Sequence, residues 1–169
     1  MAAPPPPSLG IKTTIRAATL SDKSFIASLS GKVFSPYGPY RTTVSQWFES
    51  GMTLTLIATV RARPAGFVMI GAMPSDCEGE TCAEVLAIAV APDFQHQGIG
   101  HELLQSAKRE AEKLEEWRLC LHTARENLAA QKLFQRNGFR TVKSKARFYP
   151  SGQDALMMVS DLKKDSYND

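Results

Sequence analysis

The sequence predicts a single α/β domain: a mixed central sheet of about seven strands with about four helices, in the order β-α-α-β-β-β-α-β-α-β-β. Three observations predict it. Short apolar runs with strand character alternate with stretches of helical spacing along the chain. One of those runs, Ala83 to Val90, feeds a turn that holds Gly98 and Gly100 and opens a helix. At 169 residues, the chain is bounded to one domain with one sizeable core.

Each element has its own signal. Residues 11–19 read as a first strand. Ser21 and Asp22 cap a helix over 22–33, where Phe25, Ile26, Leu29 and Val33 recur at helical spacing. The stretch SPYGPY over 35–40 is a loop, and Thr43 to Glu49 is a short helix closing at Gly51. Leu54–Val60 and Ala65–Gly71 form two strands joined by a hairpin turn over Arg61–Pro64, and 72–81 is a loop. Ala83–Val90 is a fourth strand. A helix over 99–116 follows, with Ile99, Leu103, Ala107, Ala111 and Leu114 on one face. Trp117–Thr123 is a fifth strand. Asn127 caps a helix that stops at Asn137-Gly138, and the strands Arg140–Phe148 and Ala155–Val159 close the domain. The domain spans 11–162, between a disordered Pro-rich tail over 1–10 and a polar tail over 163–169.

Composition excludes several classes. A net charge of +3, with no basic stripe interleaved with aromatics before residue 136, argues against nucleic acid. No apolar run is long enough to span a bilayer. The N-terminus has neither a basic n-region nor an apolar h-region, which argues against a secretory signal. Cys77, Cys82 and Cys120 share no metal-ligand spacing, and their odd number favours reduced thiols in a cytoplasmic protein. A homodimer is compatible with the sequence.

The turn after Val90 is a phosphate-binding device. Glycines let the main chain approach an anion, and the unpaired N–H groups of a helix start point at it. Gly-Lys-Ser/Thr is absent, which excludes a Walker loop, and Leu103 stands where a Rossmann turn needs its third glycine. The remaining pattern, Gln95-x-x-Gly98-x-Gly100, resembles the pyrophosphate loop of the GNAT superfamily, the acetyl-CoA-dependent N-acetyltransferases. A second signature agrees: Asn127-Leu-Ala-Ala followed by Leu133-Phe134 and Gly138-Phe139 is similar to the family's Asn-x-x-Ala…Leu-Tyr-x-x-x-Gly-Phe. The element order matches the family over about 11–162. Within it, the chain resembles the ribosomal-protein alanine and peptide N-terminal acetyltransferases.

The resemblance implies a GNAT fold whose fourth and fifth strands splay, so that pantetheine inserts beside the main chain of Ile88, Ala89 and Val90. It also implies that acetyl-CoA is the co-substrate. The main-chain N–H groups of His96, Gln97, Gly98, Ile99, Gly100 and His101, in the loop begun by Gln95, then cradle the pyrophosphate. The His96 and His101 side chains are either extra donors or ordinary loop histidines. Asn127 has two roles open to it, cofactor contact and helix cap. Phe134 stands at a cofactor-side position where many members carry a tyrosine acid, and it has no proton to give.

Acetyl transfer to an amine needs a base and donors for the oxyanion. Glu84 is one base candidate. On strand alternation it shares a face with Leu86 and Ile88, and apolar neighbours would raise its pKa. It matches the catalytic glutamate of histone acetyltransferase members, although a solvated strand start would also explain it. His122 is the other candidate, at a position where ribosomal-protein alanine acetyltransferases carry glutamate. On the acceptor side, Tyr149 matches a tyrosine of peptide N-terminal acetyltransferases that contacts the substrate backbone. Tyr37 and Tyr40 lie in a loop that grips acceptors in that group. Lys143, Lys145 and Arg147 alternate on one face of the sixth strand, as an attractor of acidic acceptors or as a solvated edge. The resemblance implies acetylation of a primary amine, with peptide α-amines ahead of small amines. A non-catalytic acyl-CoA sensor is the third reading.

Overall fold

A computed structural model describes residues 12–77 and 80–163; at 72–77, 80 and 81 it describes the main chain alone. The tails read over 1–10 and, past Lys163, over 163–169 lie outside the described residues. The elements are β1 (Thr13–Ala17), α1 (Lys23–Phe34), α2 (Tyr40–Glu49), β2 (Thr53–Val60), β3 (Arg63–Cys77), β4 (Glu80–Val90), α3 (Ile99–Lys113), β5 (Arg118–Ala124), α4 (Leu128–Arg136), β6 (Arg140–Lys145) and β7 (Ala155–Asp161). The order is the one the sequence predicts.

They form a seven-stranded sheet in the order β1-β2-β3-β4-β5-β7-β6, antiparallel throughout except at β4–β5. One face packs under α3 and α4, with Val68, Ile70, Val85, Leu103, Leu104, Leu119, Leu121 and Met158 in one core. The other packs under α1 and α2, around Ile26, Val44, Ile57, Phe67 and Met69. Burying both faces requires the near-continuous apolar runs seen in β2 and β3.

Several boundaries move, each for a local reason. Asp22 occupies the N-cap position of α1, as expected, but its side chain makes no cap bond to the helix. Asp22 is buried and accepts from the Thr19 N–H at 2.8 Å and from both guanidinium nitrogens of Arg16 at 2.7 and 2.8 Å. That fork ties β1 to the helix entry and holds the Asp22 carboxyl below its usual range. Helix α2 starts three residues early, at Tyr40 behind Pro39, so Tyr40 is helical. Of the loop expected over 72–81, residues 72–77, 80 and 81 are strand, paired out to Cys77 and Glu80. Cys82 is disulfide-bonded, against the expectation of reduced thiols, where β3 and β4 pair and bring sulfur-bearing segments together, while Cys120 keeps a buried thiol. Helix α3 ends at Lys113 because Glu115 takes φ +61°, which leaves Leu114 53% exposed and off the core face. Strand β6 stops at Lys145.

One irregularity shapes the molecule. Val85 pairs with Ile70 and Ala87 with Met69, so Leu86 is an extra residue on β4. A bulge bends the strand that carries it and shifts its alternation. Ile88 and Val90 therefore pack toward the α3 side, while Leu86 packs toward α1 and α2. The expectation that Glu84, Leu86 and Ile88 share one face fails at this point. The β4–β5 ladder holds for three pairs, Ala83↔Leu119, Glu84↔Cys120 and Val85↔Leu121, and then the strands part.

Candidate active site

The parting of β4 and β5 leaves the outer edge of Ile88, Ala89 and Val90 without a β5 partner. Beyond Val90 the chain makes a short 3₁₀ turn over Pro92–Phe94 and then the glycine turn. Gln95 donates from Nε2 to the Val90 carbonyl at 3.0 Å, so its side chain clamps the turn to the strand end. His96 takes φ +62° and Gly98 φ +81°, and Gly98 opens α3 with no side-chain cap. The first-turn N–H groups of α3 have no acceptor within the helix, so they face outward as a donor cradle. A Cβ at Gly98 would meet nothing within 4 Å, as a position facing a ligand should. A Cβ at Gly100 would lie 3.0 Å from Leu133 Cδ2, so Gly100 sets the close packing of α3 on α4.

The site fits a diphosphate carrier. The side chains of His96, Gln97 and His101 are exposed, and Ile99 is buried in the core. Asn127 caps α4, accepting from the Ala130 N–H at 3.2 Å. Phe134 is 4% exposed and meets Phe139 edge-on at 6.0 Å, which makes it a core ring.

The two base candidates form one pair. Glu84 Oε1 lies 3.1 Å from His122 Nδ1, at the last pairings before the strands part. Glu84 thus has a polar partner in place of the apolar surroundings expected of it. Cys120, two residues before His122, lies with its Sγ 3.1 Å from that of Cys82, two residues before Glu84. Lys145 extends from β6 to bring Nζ to 2.9 Å from His122 Nε2. It is half-buried, so the reading of Lys143, Lys145 and Arg147 as one solvated row fails at Lys145.

The three tyrosines meet although they are far apart in sequence. Tyr149 lies 5.0 Å from Tyr37 and 6.3 Å from Tyr40, centroid to centroid. Burial pushes the phenols of Tyr149, Tyr40 and Tyr37 up; the neighbouring tyrosines add to the shift at Tyr149 and Glu126 to that at Tyr37. They stay protonated donors through neutral pH. Tyr37 and Tyr149 lie in two loops and Tyr40 opens α2; the loops are joined by Ser151 N–H to the Tyr37 carbonyl at 3.1 Å and Gln153 Nε2 to the Pro36 carbonyl at 2.8 Å. Gly38, at φ +154°, allows that approach, since a Cβ there would sit 2.9 Å from Pro150 Cγ.

Phe148 links the two groups. It stacks on His122 at 4.4 Å and 15°, and meets Tyr149 edge-on at 5.1 Å. Sequence reasoning gave no role to Phe148 or Gly38 and missed the contact of Lys145 with His122. The only sequence signal was that all three lie in or beside the tyrosine-bearing loops.

A family model described as "Acetyltransferase (GNAT) family" matches residues 22–139. The chain is 28% identical over 164 residues to an N-alpha-acetyltransferase of Sulfolobus acidocaldarius, covering 90% of this chain and 94% of that one. It is 35% identical over 80 residues to the [ribosomal protein bS18]-alanine N-acetyltransferase of Escherichia coli K12, covering 46% and 54%. The crystal structure of the ribosomal-protein-S18-alanine N-acetyltransferase from Escherichia coli superposes with a TM-score of 0.75 at 24% identity, covering 93% and 98%. Arabidopsis thaliana NAA60 in complex with acetyl-CoA superposes with a TM-score of 0.75 at 17% identity, covering 89% and 98%.

Proposed function

We propose that this chain, which belongs to the GNAT acetyltransferase family and is an acyltransferase, moves acetyl from acetyl-CoA to the α-amine of a peptide or protein. The observation that carries the reading is the Glu84–His122 pair where β4 and β5 part, joined through Phe148 to the tyrosine cluster. A proton acceptor, an opening beside a strand edge and a set of aromatic donors thus adjoin one another.

Acetyl-CoA supplies the activated carbonyl and a thiolate that leaves readily. The main chain of Ile88, Ala89 and Val90 holds the pantetheine. The N–H groups from His96 to His101 hold the pyrophosphate, and Asn127 adds a contact beside its cap. Alkylamines are largely protonated at neutral pH, so the site must first take a proton. Glu84 accepts it, with His122 bonded to its other side. The amine nitrogen then bonds to the carbonyl carbon as the C–S bond breaks, and the second proton it sheds in becoming an amide passes to water. Phe134 cannot protonate sulfur, so CoA leaves as thiolate. Tyr149, Tyr37 and Tyr40 hold the acceptor's first residues through their hydroxyls and ring faces. The Sulfolobus relative is named an N-alpha-acetyltransferase and the Escherichia relative a ribosomal-protein-alanine N-acetyltransferase, which supports this acceptor over small amines.

The test is CoA-thiol release over a panel: peptides with a free α-amine, the same peptides blocked, a polyamine and free amino acids. Release confined to free α-amine peptides is the expected outcome. Release confined to the small amines would overturn the acceptor. An acetyl-CoA-dependent melting shift without release on any amine would mark a binding protein instead.

A further inference from the structure

Lys145 belongs to β6, which β7 separates from β5. Its main chain pairs with Ala155, and Ala155 pairs in turn with Ala124. The positions level with it on β7 and β5 carry only methyl groups. A four-carbon side chain can therefore lie over the sheet and turn back to His122. It does so, ending 2.9 Å from Nε2 and 5.6 Å from the centroid of the Phe148 ring.

The imidazole is thus held at three places: Glu84 at Nδ1, Lys145 at Nε2 and Phe148 on its face. An ammonium has three donors and no acceptor. It can only donate, so Nε2 must offer a lone pair. The ring's single proton then lies on Nδ1, where it donates to Glu84 Oε1. A doubly protonated ring would set an N–H against the ammonium. We propose that Lys145 is a positioning residue that fixes His122 as the Nδ1–H tautomer, leaving the Glu84 carboxylate, and not the imidazole, as the site's proton acceptor. The role in turnover rests on the acetyltransferase reading; the tautomer does not.

The experiment is ¹⁵N–¹H long-range spectroscopy of histidine rings in the full chain at about pH 8.5, where an ordinary imidazole is neutral. His122 is assigned by loss of its signals in His122→Gln. The wild type is expected to show a protonated Nδ1 and a bare Nε2. Lys145→Met should bring up an Nε2–H population, and Lys145→Arg, which keeps a donor, should not. A protonated Nε2 in the wild type, or an unchanged spectrum in Lys145→Met, overturns the proposal. The wild-type spectrum decides even if the variants fail to fold, and it needs no turnover. On the acceptor peptide, Lys145→Met should lower kcat by about 10- to 100-fold with the acetyl-CoA KM unchanged, and Lys145→Arg should recover most of it. A loss seen only in the acetyl-CoA KM would overturn the positioning role.

Discussion

At the turn between β4 and α3, one continuous stretch from Leu86 to His101 supplies a bulge, a free strand edge, two residues at positive φ and an uncapped helix start. At the tyrosine end, the groups come from α1–α2, β4, β5, β6 and the loop before β7, and side chains make the site. Under the proposed function the first region recognises with main-chain N–H groups, so it should tolerate changes of side chain but not of backbone geometry. Under the same proposal the second recognises with hydroxyls, a carboxylate and rings, so single atoms should matter there. In this fold the conserved-chemistry half of a ligand can be read by backbone while the variable half is read by side chains.

The sharpest way to break that contrast is at Gly98. Gly98→Glu forces a side chain onto φ +81° and sets a negative charge at the helix start. Saturating acetyl-CoA, at about 100 times its dissociation constant, should stabilise the wild type by ~2.7 kcal/mol. The variant should lose that melting shift entirely. His96→Ala and His101→Ala should keep it, and losing it in either would show that side chains matter at this end too.

Next in size is Glu84→Gln, which should lower kcat by about 100-fold or more, the span for a general base. The acetyl-CoA KM should stay as it was. Activity within a few-fold of wild type would make Glu84 structural and pass the base to His122. Gly38→Ala comes third. Its Cβ would meet Pro150 at 2.9 Å, so the two tyrosine loops must separate. The acceptor KM should rise roughly tenfold, a strain of about 1–3 kcal/mol acting on one end of the cleft. An equal rise in the acetyl-CoA KM would mean that the two regions are coupled. The smallest effect is expected of Tyr149→Phe, which keeps the ring and removes one hydrogen bond. The acceptor KM should rise about 2- to 13-fold, from ~0.5–1.5 kcal/mol. A loss confined to kcat would make Tyr149 the acid that Phe134 is not.

The element order, the helix cap at Asn127, the αL stop at Gly138 and the glycine turn before α3 were legible in the sequence, because each depends on neighbours within a few residues. So was the list of polar groups on which to bet. Their arrangement was not. Glu84 and His122 read as rival bases, and the structure makes them one bonded pair, since a parallel ladder sets their register across distant segments. Simple alternation put Glu84 and Ile88 on one face, and one bulged residue undid it. Lys145 read as part of a solvated row because nothing local shows that two alanines let it cross to His122. By itself the sequence determined what short-range backbone preference and hydrogen-bond demand can encode: strands, helix ends, and a glycine turn at a helix start. Tertiary structure alone decided which side chains touch, because strand register and strand parting are set by pairings between residues far apart in the chain.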